Sequence, residues 1–115
     1  MTSPQIARAL LAAFVLLGFA PASATAADIP EFKLVIRQHQ FEPAELKVPA
    51  GQRLRLVVEN HDSTPEEFES YDFNREKMVP GNGRIVLFVG PLKPGRYEFF
   101  GEFNPGTARG TLVAE

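Results

Sequence analysis

The fold prediction starts from residues 91–113, PLKPGRYEFFGEFNPGTARGTLV, close to the C-terminal end of the sequence. Two prolines and a glycine before Arg96 are typical of a turn, and the aromatic-rich residues 96–101 that follow are typical of a strand. Polar residues and glycine over 102–109 predict a loop, and residues 110–113 predict a closing strand. We therefore expect a strand, a polar loop and a return strand.

The sequence before this unit contains further short strand patterns separated by Pro or Gly turns. In the first of them, Phe32, Leu34 and Ile36 lie on one face, which is the period of a half-buried strand. Residues 73–79 fit either one helical turn or an extended segment, and further strands are predicted at residues 45–48, 53–60, 66–71 and 84–89. About seven short strands without a long helix predict an all-β, Greek-key β-sandwich.

The first 27 residues have the features of a secretory signal peptide. Arg8 precedes an apolar run over 9–20, and small residues with A-x-A cleavage sites after Ala24 and Ala26 follow it. The apolar run is shorter than the roughly 20 residues of a membrane-spanning helix. We therefore predict a signal peptide over 1–27 and one domain over 28–115, exported and not embedded in the membrane after cleavage.

Charge and cysteine content exclude several classes of function. The sequence has no Cys, which excludes disulfides and thiolate metal ligands, and its net charge of −2 argues against nucleic-acid binding. The acidic residues are concentrated in one region, namely Glu59, Asp62, Glu66, Glu67, Glu69, Asp72 and Glu76. Such a region attracts cations, although a solvated loop that keeps the protein soluble has the same composition.

Four motifs, in order along the chain, resemble those of the cupredoxin family. They are FEPAELKVPAG (41–51), VVEN (57–60), PEEF (65–68) and PGRYEFFG (94–101). The resemblance implies a cupredoxin sandwich with a copper site. In that site the first His would fall at Glu66, the Cys at Gly101, the second His at Asn104 and the Met at about Arg109. None of these residues is the expected ligand, which argues against a type 1 blue copper site.

A narrower resemblance joins four shorter segments to the small periplasmic cupredoxin of bacterial ferrous-iron uptake systems. The segments are EEFES (66–70), REK (75–77), PLKPG (91–95) and FFGEF (99–103). This resemblance implies a periplasmic protein that assists iron oxidation or delivery to an iron permease, with a periplasmic iron-binding protein as a further partner. It leaves a ferroxidase-type activity open. In this subfamily a His is expected where Asn104 stands.

On that basis, carboxylates and one His are the candidate ligands for Fe(II), Cu(II) or both. Carboxylates are hard donors suited to iron, and a mixed nitrogen and oxygen site resembles non-heme iron ligation. The candidate metal ligands are Glu66, Glu67, Glu69, Glu102 and His39. For the glutamates the alternative is a solvated rim or an exposed strand face. His39 lies at the expected bulge or corner after the first strand, and its alternative is a hydrogen-bonded surface position.

Three further residues have other expected roles. Met78 is predicted to pack in the core, with an axial-type ligand position as the alternative, and His61 is predicted to be exposed in its loop. Arg109 is a candidate to pair with Glu66 or Glu102, and such a salt bridge would close the place where the cupredoxin family holds copper.

The alternative function is a metal-free β-sandwich that docks a partner protein. No nucleophile with a nearby base supports a hydrolase.

Overall fold

The computed structural model describes residues 28–115, which form nine strands and no helix. The predicted signal peptide lies outside the described residues. The strands are β1 (Glu31–Arg37), β2 (Gln40–Glu42), β3 (Glu45–Val48), β4 (Leu54–Asn60), β5 (Glu66–Ser70), β6 (Arg75–Val79), β7 (Arg84–Val89), β8 (Gly95–Gly101) and β9 (Arg109–Ala114).

The strands form two sheets, which confirms the predicted all-β sandwich. One sheet has the order β2-β1-β4-β7 and the other the order β3-β9-β8-β5-β6. The pairs β1 with β4 and β3 with β9 are parallel, and the remaining pairs are antiparallel. Residues 73–79, which fitted a helical turn or an extended segment, contain the edge strand β6. Within residues 28–115, β2 and β6 account for the two strands beyond the expected seven or so.

Three phenylalanines join the two sheets at the centre of the core. Phe68 on β5 and Phe99 on β8 are 0% and 1% exposed, and their rings stack with centroids 5.3 Å apart. Phe41 on β2 meets both rings edge-on, at 5.9 and 4.9 Å. Aromatic pairs in these geometries contribute about 0.5–1.5 kcal/mol each beyond the burial of their area. The core therefore fixes β5, which carries most of the candidate ligands.

The edge strands β6 and β7 are held together by two basic side chains. Arg75 Nε donates to the backbone oxygen of Phe88 at 2.9 Å, and Lys77 Nζ donates to that of Val86 at 3.4 Å. Both acceptors are on β7, at the edge of its sheet. Backbone groups at a free edge are available for pairing with another chain, so these two side chains also cover an edge that would promote aggregation.

A two-residue hairpin turn joins β1 to β2 and takes the place of the expected bulge. Arg37 pairs with Gln40, and both Gln38 and His39 have positive φ, at 52° and 57°. Asp62 accepts hydrogen bonds from the backbone N–H groups of Gln38 and His39 at 2.8 and 2.9 Å. These bonds hold a conformation that residues other than glycine adopt infrequently. The turn places His39 at the end of the four-stranded sheet.

Among residues 28–115, the structure contains no helix that is long and apolar enough to cross a membrane.

Candidate metal centre

Three glutamates lie together on the outer face of the β5–β6 pair. Glu67 and Glu69 are two residues apart on β5 and therefore share a face, because successive side chains of a strand alternate. Glu69 stands opposite Glu76 of β6 in the antiparallel register. One carboxylate oxygen from each of Glu67, Glu69 and Glu76 lies within 4.8 Å of the others. Within residues 28–115 this is the only group of three or more His, Cys, Asp or Glu residues with such spacing.

Among residues 28–115, no Lys, Arg or His side chain forms a salt bridge with Glu67, Glu69 or Glu76. Partial desolvation, followed by the charges of Glu76, Glu69 and Glu102, raises the pKa of Glu67. Desolvation, followed by the charges of Glu102 and Glu76, likewise raises the pKa of Glu69. The charge of Glu69 is the main cause that raises the pKa of Tyr71. The ionised carboxylates repel one another, so a bound cation would relieve an unfavourable interaction.

The surroundings of the three glutamates combine acidic and apolar groups. Glu102 is exposed in the loop after β8, and its N–H donates to the backbone oxygen of Glu67 at 2.9 Å. Met78 stands opposite Glu67 and is 48% exposed, so the prediction that Met78 packs in the core was wrong. The side chain of Met78 points outward because residues paired across two strands lie on the same face of the sheet, and Glu67 is on the outer face. Tyr71 is 77% exposed, and its ring lies 5.4 Å from that of Phe100.

Glu66 points in the opposite direction, into the sandwich, and is 2% exposed. Its Oε1 accepts hydrogen bonds from the N–H groups of Glu67 at 3.0 Å and Phe103 at 2.8 Å. Its Oε2 accepts one from Asn104 Nδ2 at 2.8 Å. Glu66 is therefore a buried carboxylate with three amide donors, and it does not contribute to the exposed group of glutamates.

Arg109 forms no salt bridge with Glu66 or Glu102, so the prediction that such a pair closes the place where the cupredoxin family holds copper was wrong. Its Nη1 donates to the backbone oxygen of Pro105 at 2.9 Å, and its guanidinium carbon lies 5.5 Å from the centroid of the Phe100 ring. The donors to Glu66 are neutral amides. The residues at the four expected copper positions offer one carboxylate, one amide and no soft or imidazole ligand, so they do not fit a type 1 copper ion.

Both histidines lie at the end of the four-stranded sheet and have partners of their own. His39 Nδ1 lies 3.5 Å from Asp62 Oδ2. His61 Nδ1 lies 2.8 Å from Arg37 Nη2, and its Nε2 lies 3.2 Å from Glu59 Oε1. Hydrogen bonding to Lys33, and then to His61, lowers the pKa of Glu59. His39 therefore belongs to a hydrogen-bonded cluster outside the group of Glu67, Glu69 and Glu76.

Of the five candidate ligands, the structure brings Glu67 and Glu69 together and places Glu102 beside them. It adds Glu76, which the sequence reasoning left out of the ligand set. The acidic composition of residues 59–76 pointed to Glu76. Its position opposite Glu69 depends on the antiparallel pairing of β5 and β6, and residues 73–79 alone did not predict that pairing.

Comparison with known proteins identifies sequence relatives of the chain. A family model described as a cupredoxin-like domain matches residues 8–114. An uncharacterized protein of Rickettsia prowazekii is 44% identical over 86 residues, covering 75% of this chain and 69% of that protein. The iron uptake system component EfeO of Yersinia pseudotuberculosis is 35% identical over 95 residues, covering 78% of this chain and 25% of that protein. EfeO of Escherichia coli K12 is 30% identical over 80 residues, and the chain covers 20% of its length.

Solved structures with the same architecture have low sequence identity to this chain. Auracyanin A, a "blue" copper protein from Chloroflexus aurantiacus, superposes with a TM-score of 0.65 at 14% identity, covering 75% of this chain and 99% of that one. Amicyanin from Paracoccus versutus superposes with a TM-score of 0.58 at 16% identity, covering 80% and 85%. At such identities the likeness shows the fold and does not extend to the ligands.

Proposed function

This chain belongs to the cupredoxin-like family, and from that premise we propose that it is an iron-uptake protein that carries Fe(II) on an exposed face of the sandwich. The proposed ligands are Glu67, Glu69 and Glu76, with Glu102 beside them. In this proposal Fe(II) is the cargo, which the protein binds on its surface and passes on. Cu(II) is the alternative cation for the same carboxylates.

The observation that carries this proposal is the spacing of the three carboxylates, whose oxygens lie within 4.8 Å of one another. Oxygen atoms at that spacing can reach a single cation, and carboxylates are the ligands that hard divalent cations prefer. The raised pKa values of Glu67 and Glu69 reflect desolvation and repulsion, and a bound cation would offset the repulsion. Position on an outer strand face favours exchange of the ion over permanent retention.

Iron, as the cation, is supported by similarity to the EfeO proteins, which are named iron uptake system components. The chain spans about a quarter or less of their length, so their complete activity extends beyond what this chain matches. We extend the proposal to an exported protein of the periplasm that delivers iron to a membrane permease and works beside a periplasmic iron-binding protein. The signal-peptide pattern over 1–27 supports export.

Delivery is the part of the proposal that the site supports best. Oxidation of Fe(II) to Fe(III) releases one electron per ion, and a ferroxidase-type role requires an acceptor such as dioxygen or Cu(II). The three carboxylates supply ligands that favour Fe(III) over Fe(II), because hard anionic oxygen donors suit the more highly charged ion. Their contribution to oxidation would therefore be to stabilise the product.

The test is an anaerobic calorimetric titration of the purified protein with Fe(II), and separately with Cu(II). The variant Glu69→Gln/Glu76→Gln should weaken Fe(II) binding by about tenfold or more, because two charged ligands are lost. The matched control Glu31→Gln/Glu45→Gln removes two negative charges from exposed ion pairs with Arg55 and Arg96. Equal affinity in both variants, or no saturable binding by the wild type, would overturn the proposal.

A second candidate function, docking of a partner protein without metal, is favoured by the exposed apolar side chains around the acidic group. Tyr71, Met78 and Phe103 are 77%, 48% and 49% exposed. Carboxylates with apolar neighbours suit a basic, partly apolar protein surface. Under this alternative, Tyr71→Ala/Met78→Ala abolishes partner binding, and Glu69→Gln/Glu76→Gln leaves iron-dependent growth unchanged. Loss of growth in the glutamine variant, with partner binding intact, would exclude it.

A further inference from the structure

We infer that the carboxylate of Glu66 is a structural latch that permanently closes the place where the cupredoxin family holds copper. It joins β5 to the loop over residues 102–108 with hydrogen bonds between protein groups. The geometry assigns no ion to this end of the sandwich.

Both carboxylate oxygens of Glu66 accept hydrogen bonds. The N–H groups of Glu67 and Phe103 donate to Oε1 at 3.0 and 2.8 Å, and Asn104 Nδ2 donates to Oε2 at 2.8 Å. Glu66 is 2% exposed, so water does not compete for these bonds. A buried carboxylate without such donors would be strongly destabilising, whereas this one is bonded on both oxygens.

The space occupied by Glu66 excludes a side chain at position 101. A Cβ on Gly101 would lie 2.5 Å from both Cδ and Oε2 of Glu66, and 2.9 Å from Cβ of Ala108. These distances are shorter than non-bonded carbon and oxygen atoms can approach. Any residue that offered a metal ligand at position 101 would begin with that Cβ. Glu66 in its observed place and a ligand at position 101 are therefore mutually exclusive.

The loop beyond Gly101 has the backbone order that an ion would otherwise help to impose. Gly101 N–H donates to the oxygen of Ala108 at 2.8 Å, and Ala108 N–H donates to that of Asn104 at 2.8 Å. Asn104 N–H donates to the oxygen of Gly101 at 3.1 Å. The latch connects this closed loop to β5 at Phe103 and Asn104. The latch also fixes the backbone of Glu102, which directly precedes Phe103 in the loop.

A double-mutant cycle in urea, without added metal, tests the latch. Gly101→Ala alone should lower the unfolding midpoint by about 1 M urea, because the new Cβ collides with Glu66. In a Glu66→Ala background the same change should lower it by less than half as much, the remainder coming from Ala108. The control Gly106→Ala, where a Cβ would have no atom within 4 Å, should leave the midpoint unchanged. Additive effects of Gly101→Ala and Glu66→Ala would overturn the inference.

Hydrogen exchange keeps the test decisive if Glu66→Ala does not fold. The Phe103 amide of the wild-type protein should exchange about 100-fold more slowly than an unprotected amide. In Asn104→Ala, which removes one of the three donors, that protection should fall. In Glu69→Gln/Glu76→Gln it should persist, because those side chains are on the outer face of the β5–β6 pair, whereas Glu66 points into the sandwich. Free exchange of the Phe103 amide in the wild-type protein would contradict the latch.

Discussion

Glu69 on β5 stands directly opposite Glu76 on β6, so that two carboxylates of equal charge occupy one cross-strand position. Like charges in such a pair are destabilising in an antiparallel sheet. With Glu67, the pair forms a group in which one oxygen from each residue lies within 4.8 Å of the others. An arrangement that costs stability in the isolated protein is expected where a site binds a cation.

The first prediction concerns the pH dependence of that cost. Because the folded-state pKa of Glu69 is raised above its ordinary value of 4.5, its ionised form is disfavoured in the folded protein. The cost is absent below pH 4.5 and is fully present above the raised pKa. Glu69→Gln should therefore raise the melting temperature at pH 7.5, and the difference should vanish on acidification below 4.5. A difference that stays constant over this range would contradict the repulsion.

The second prediction concerns the turn that holds His39. Partial burial acts to raise the pKa of Asp62, but the hydrogen bonds from the amides of His39 and Gln38 outweigh it, and the pKa is lowered from its ordinary 3.8. Asp62 therefore stabilises the fold above pH 3.8, and this contribution is lost as the pH falls through the lowered pKa. Asp62→Asn should cost about 1 kcal/mol at pH 7 in urea unfolding.

The matched control for this change is Asp28→Asn, an exposed Asp before β1, which should leave the unfolding midpoint unchanged at pH 7. A penalty for Asp62→Asn that persists undiminished at pH 2 would show that the turn does not depend on the charge of Asp62.

The third prediction concerns the covered edge of the sandwich. Removing Arg75 and Lys77 together exposes the backbone oxygens of Phe88 and Val86 on the edge strand β7. Arg75→Ala/Lys77→Ala should therefore increase self-association, measured by light scattering during mild heating. The control Lys33→Ala/Lys93→Ala removes the same charge away from this edge. Equal association of the two variants would assign the effect to net charge alone.

The fourth prediction concerns the core. Phe68 is 0% exposed and packs against Phe41, Phe73 and Phe99. Phe68→Ala should lower the free energy of unfolding by about 3–5 kcal/mol because it leaves a cavity at the junction of both sheets. Tyr71→Ala, at a residue 77% exposed, should change it by less than about 0.5 kcal/mol. Urea unfolding monitored by circular dichroism measures both, and a loss below 1 kcal/mol for Phe68→Ala would contradict the packing.

The sequence predicted the sandwich because its strands are short, alternate with period two and end at Pro or Gly. The motif around Phe41 and the motif PGRYEFFG each place one member of the central aromatic cluster. What remained open was residues 73–79, where exposed polar side chains of an edge strand give no alternation that distinguishes a strand from a helical turn.

The candidate site was less predictable because it depends on register and direction. Whether Glu76 faces Glu69 follows from the pairing of β5 with β6, which involves residues distant in sequence. The inward direction of Glu66 did have a signal. With Phe68 pointing inward, period two also directs Glu66 and Ser70 inward, and both are 2% exposed. The three donors to Glu66 come from its neighbour and from a loop that only the folded chain brings near it.

The central claim is that a divalent cation binds at Glu67, Glu69 and Glu76, and paramagnetic broadening of amide signals by Mn(II) tests it most directly. Mn(II) shares the preference for oxygen ligands and broadens the signals of nuclei close to it. Substoichiometric Mn(II) should broaden the amides of β5 and β6 first, and should not do so in Glu69→Gln/Glu76→Gln. Broadening centred on His39, Asp62 and His61, or spread evenly over the protein, would contradict the account.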